Sequence, residues 1–160
     1  MKPIVLSLLT DVFSKDSSRT KSKTTINRIF ITDTDPQSER TIMIEEDEYS
    51  IWAYLLQPDM QGIDFDGFIC AVIDPKTMKI DPKDATKNGN ATPLDATFSN
   101  QYSYVKGIKK EDINVSWKPN KIEVLLKKEL YLIMDIETKT SYSKALASDC
   151  YYGNKLNAPA

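Results

Sequence analysis

Lys121-Ile122-Glu123-Val124-Leu125-Leu126-Lys127, followed two residues later by Leu130-Tyr131-Leu132-Ile133-Met134-Asp135-Ile136-Glu137, decides the fold class. In the first run Ile122, Val124 and Leu126 take alternate positions; in the second Leu130, Leu132, Met134 and Ile136 do the same. A period of two belongs to an extended strand, whose successive side chains point to opposite faces. The other side of the second run passes from Tyr131 and Ile133 to Asp135 and Glu137, so this strand is expected to leave the core at its C-terminal end.

The same texture extends in both directions. Ile113-Asn114-Val115-Ser116-Trp117 alternates cleanly, and Thr41–Ile44 and Ser50–Leu56 read as two strands separated by Glu45-Glu46-Asp47-Glu48. Gly67–Ile73 is apolar throughout, as in a strand buried on both faces. Ile4–Phe13, Thr25–Thr32 and Thr97–Val105 add further extended segments. Turn chemistry punctuates them at Asp33–Ser38 with Pro36, Pro58–Asp64, Asp74–Thr77, Gly107–Asp112 and Pro119-Asn120. Residues 14–24 form a polar, basic loop by composition and residues 81–96 a long connection, while the tail from 154 to 160 is expected to fray. Tyr142, Leu146 and Cys150 recur at helical spacing with Gly153 placed to end the turn, which predicts a short helix at about Ser143–Cys150. The expectation is one all-β antiparallel domain over 1–160, a β-sandwich, with a β-barrel as the alternative.

Composition narrows the chemistry. The 160 residues are 41% hydrophobic and 28% charged, a balance that supports a folded core and argues against wholesale disorder. There is no histidine, so Ser-His-Asp and Cys-His catalysis and every imidazole-ligated zinc site are excluded within the chain. Two cysteines are too few for an all-thiolate zinc or ordinary iron–sulfur site. Cys70 sits in the apolar run Phe68–Ile73 and is read as a small buried hydrophobe, Cys150 lies in a polar stretch, and both are expected to be free thiols. Five glycines provide no phosphate-cradling loop, and Asp64-Phe65-Asp66-Gly67 is only a fragment of a calcium loop. No cofactor and no metal are expected. Ile4–Leu9 is too short for a secretory core and is soon followed by Asp11, and no stretch approaches the roughly 20 apolar residues of a membrane span, so the expected location is cytoplasmic.

The net charge of −2 conceals an asymmetry: residues 1–30 carry +4, residues 31–100 carry −9, and residues 101–160 carry +3. If Glu45, Glu46, Asp47, Glu48, Asp59, Asp64 and Asp66 converge, they form a surface that steers a basic protein partner. Without a basic patch interleaved with aromatics, nucleic acid is not the expected partner. A non-enzymatic binding protein follows as the leading expectation, an inhibitor or immunity-type protein being one concrete form. The alternative is a small-ligand or carbohydrate-binding β-domain in which Trp52, Tyr54, Tyr102, Tyr104 and Trp117 line a concave face. An enzyme dependent on carboxylates or Cys70 is the third class, with Asp135 and Glu137 as its nearest carboxylate pair.

Overall fold

A computed structural model describes residues 27–78 and 93–157. The expected strand at Ile4–Phe13, the basic loop at 14–24 and most of the 81–96 connection lie outside these residues. The described chain forms nine strands: β1 Phe30–Thr34, β2 Thr41–Glu46, β3 Ser50–Leu56, β4 Ile63–Ala71, β5 Ile113–Trp117, β6 Lys121–Leu126, β7 Glu129–Asp135, β8 Thr140–Ser143 and β9 Asn154–Lys155. They assemble into a four-stranded sheet ordered β1-β2-β3-β4 and a five-stranded sheet ordered β5-β6-β7-β8-β9. These are two separate sheets, so the chain is a β-sandwich and the barrel alternative is set aside.

Register fixes which side chains meet. On the inner face of the first sheet, Ile31, Ile44, Ala53 and Gly67 stand in one row, and Asp33, Ile42, Leu55 and Phe65 in the next. The second sheet opposes them with Ile122, Val124, Leu126, Leu132 and Met134, all essentially without solvent exposure. One buried cluster runs through both sheets. The sheets approach tightly at Gly67 in β4: a Cβ there would meet both δ-carbons of Leu132 in β7 at 2.8 Å. At the other side of the sandwich the indole N–H of Trp117 in β5 donates to the Asp33 carboxylate in β1.

Several expectations need correction; β4, for one, begins at Ile63 inside the expected turn Pro58–Asp64 and ends at Ala71, short of Ile73. The helix predicted at Ser143–Cys150 does not form: β8 runs to Ser143, Lys144 and Ala145 turn, and Cys150 bridges Gly153. The apolar positions Leu146 and Tyr152 are satisfied by packing into the core instead, which a turn achieves as well as a helix. Asn154 and Lys155 do not fray but pair parallel with Tyr142 and Ser143, the only parallel strand pair among the described residues. Thr97–Val105 is not a strand: Ala96–Phe98 is a 3-10 turn capped by the Asp95 carboxylate, and only Tyr104 makes an isolated bridge, to Ala71. Finally, Leu130 and Leu132 do not share a face. The pairing slips between Val124 and Leu125, leaving Tyr131 unpaired and turning Leu130 outward beside Leu125.

Candidate functional site

The β2–β3 hairpin brings carboxylates together. Glu45 stands opposite Trp52 and Asp66 opposite Tyr54, on the face of the first sheet that alternates with Ile44, Ala53 and Gly67. Asp47 shapes the turn, its Oδ1 accepting the N–H groups of Tyr49 at 2.7 Å and Ser50 at 2.8 Å. Burial pushes the Glu45 carboxyl up, the Asp47 charge pushes it further, and Arg28 pulls it partly back. Burial also raises Asp47, against the pull of its two backbone hydrogen bonds and of Arg28. The Tyr54 phenol is raised well beyond its ordinary range, first by burial and then by the charges of Asp47, Glu45 and Asp66. The charges of three carboxylates thus reach one phenol, and two of them, Glu45 and Asp47, are themselves raised.

Beside the same turn opens a concavity of about 470 Å³, with Val72, Ile73, Val105 and Ile108 as apolar walls and Glu46, Asp47, Glu48 and Arg28 around it. Glu46 is partly spent on the fold, its Oε2 accepting the Ile29 N–H at 3.0 Å. Glu48 is exposed.

Two of the expected acidic residues lie elsewhere. Asp64 is clamped between Arg40 and Lys139, each at 2.8 Å. Burial tends to raise its pKa, but the hydrogen bonds and charges of Lys139 and Arg40 outweigh this and leave it lowered. Asp59 closes the β3–β4 turn by accepting the Gln61 N–H at 2.9 Å. The calcium fragment Asp64–Gly67 lies within β4, not in a loop. Asp135 holds the Thr138 N–H at 3.0 Å, while Glu137 falls beyond the end of β7.

The five aromatic candidates do not share a face. Trp52 belongs to the core, with its ring edge-on to Phe68 at 5.2 Å and near Tyr152 at 5.9 Å. Tyr54 sits among the acids, and Tyr104 is exposed beside the end of β4. Trp117 lines a cleft of about 430 Å³ with Pro36, Gln37, Arg40 and Pro119, at one end of the sandwich. Tyr102 belongs to a wider groove of about 880 Å³ on the outer face of the second sheet. Cys70 and Cys150 are both free, and burial pushes the fully enclosed Cys70 thiol far up, a setting unsuited to a nucleophile.

Several residues of these surfaces escape sequence reasoning. Arg28, Ile73 and Ile108 come from three separate connections, and no local spacing links them. The outer groove had a faint signal in Ile133, apolar on the side of its strand that also carries Asp135. Among the described residues no cluster of ligating side chains suited to a metal ion is present, and no helix is long and apolar enough to cross a membrane. The chain matches no family model, no curated protein and no solved structure at a significant level.

Proposed function

We propose that the protein is a non-catalytic binding module that captures a basic segment of another protein at the β2–β3 turn. The observation that carries this reading is the apolar concavity bordered by Glu46, Asp47 and Glu48 at the β2–β3 turn, with the raised carboxyls of Asp47 in its lining and Glu45 on the adjoining strand. A lysine or arginine suits such a place, because its methylene stem can lie on Val72, Ile73, Val105 and Ile108 while its cation meets the carboxylates. Arg28 already shows the preference, since its charge lowers both Glu45 and Asp47. Carboxylates held near one another with raised pKa cost stability at neutral pH, and a group kept at such a cost fits a binding role. An inhibitor that covers a basic patch on its target is one form the module could take.

The test is titration of the protein with a peptide of alternating lysine and valine, at low and at physiological salt. Saturable binding that weakens steeply with salt, and that falls at least tenfold in the Glu45→Gln, Glu48→Lys double variant, is expected. Equal binding by parent and variant, or none at low salt, overturns the reading.

A further inference from the structure

Solvent-facing sheet surfaces of a sandwich are ordinarily polar. The outer face of the second sheet departs from this: Leu130 and Ile133 of β7 are only half-buried there, and Leu156 after β9 stands at the edge of the same groove. Leu130 reaches this face because of the slip at Tyr131. The groove's volume of about 880 Å³ lies within the range of ligand pockets, roughly 300–1,000 Å³.

Its polar groups are of one dominant sign. Lys121, Lys144 and Lys155 line it against a single carboxylate, Glu123. Glu123 pairs with Lys121 at 3.1 Å, and Lys144 reaches Glu129 at 2.6 Å. No ion pair holds the Lys155 ammonium among the described residues; Asp149 accepts its backbone N–H. The Lys144 ammonium also stands 4.4 Å from the centre of the Tyr102 ring and 5.4 Å from that of Tyr131, an arrangement that fixes the cation over aromatic faces. The wall is braced as well. Asn100 donates to the Lys144 carbonyl at 2.9 Å and accepts the Tyr102 N–H at 2.8 Å, tying the 100–103 loop to the end of β8. A groove braced in this way needs little ordering to receive a ligand.

We infer that this groove binds an amphipathic carboxylate, with a hydrocarbon chain laid over Leu130, Ile133 and Leu156 and the anionic head between Lys144 and Lys155. The charge of the lining selects an anion over a neutral amphiphile, and the apolar floor selects a chain over a small inorganic anion. This site is separate from the acidic turn and does not depend on it.

Titration calorimetry with dodecanoate and dodecanol, both kept below aggregation, provides the test. One dodecanoate per chain is expected, with dodecanol at least tenfold weaker. Ile133→Glu should abolish binding and the Lys144→Gln, Lys155→Gln pair should reduce it at least tenfold, while Glu48→Lys at the acidic turn leaves it unchanged. Should Ile133→Glu fail to fold, the two-lysine variant, whose ammonium groups lie at the surface, decides alone. Absence of saturable binding, equal affinity for dodecanol, or full binding by the two-lysine variant overturns the inference.

Discussion

Glu45 and Asp64 are both carboxylates of the first sheet, and their surroundings push them in opposite directions. Glu45 is raised by burial and by Asp47, so the folded state holds its proton more tightly than the unfolded chain. Stability attributable to it is therefore greatest at low pH and falls as pH climbs from the unfolded value toward the raised folded one. Glu45→Gln is expected to be more stable than the parent at pH 7 by less than about 1 kcal/mol after solvent screening, with the difference vanishing below about pH 4. Urea unfolding at both pH values checks this. Asp64 is lowered, so its contribution is present above the unfolded carboxylate value and is lost as pH falls through the folded one. Asp64→Asn should cost about 1–2 kcal/mol at pH 7, and little at pH 2, in the same experiment. The two thiols differ as sharply. Cys150 is partly exposed, though burial raises its thiol, and Cys70 is enclosed, so a thiol reagent should label the native protein at Cys150 only, with Cys70 reacting upon denaturation. Mass spectrometry of the labelled peptides reads the result.

Strands were legible where alternation is uninterrupted and obscured where the backbone breaks the period. Ser50–Leu56, Ile113–Trp117 and Lys121–Leu126 lie where the pattern of apolar residues places them, whereas β2 runs two residues past the expected Ile44 to Glu46. The β6–β7 turn hides its nature: Lys127 and Lys128 have φ of +50° and +70°, a two-residue type I′ geometry without the Asn-Gly that ordinarily announces it. Lysine tolerates left-handed backbone poorly, so Lys128→Gly should raise stability by about 1 kcal/mol, measured as a higher denaturant midpoint. The slip three residues farther on was equally invisible, because Tyr131 reads as an ordinary strand residue. The helical spacing of Tyr142, Leu146 and Cys150 misled because three residues reproduce a helical period by chance more easily than seven do. At the sheet interface the tolerance is small. Gly67→Val would drive its side chain into the δ-carbons of the fully buried Leu132 and should cost about 1–3 kcal/mol by thermal or chemical unfolding.

Across the whole molecule, the sequence located the acidic middle of the chain but not how it divides. Glu45, Asp47 and Asp66 come from neighbouring strands and one turn and their charges reach Tyr54, while Glu46, Asp47 and Glu48 border the concavity beside that turn. Asp64 is two residues from Asp66, yet a pairing slip between Leu55 and Leu56 sends it to Arg40 and Lys139. That division depends on register and on partners 24 and 75 positions away, which no local motif encodes. The aromatic set is dispersed for a related reason: Trp52 packs against the Phe68 and Tyr152 rings, while Tyr152 itself donates to the Pro93 carbonyl and holds the C-terminal turn against the core. Two opposite surfaces result, an acidic turn on one sheet and a lysine-lined groove on the other. The most direct test of the acidic turn is amide chemical-shift mapping during titration with the alternating lysine–valine peptide at low salt. Perturbations confined to Glu45–Glu48, Tyr54, Asp66, Val72-Ile73 and Val105–Ile108 are predicted; shifts centred on the outer groove or the Trp117 cleft, or none at saturating peptide, would contradict the account.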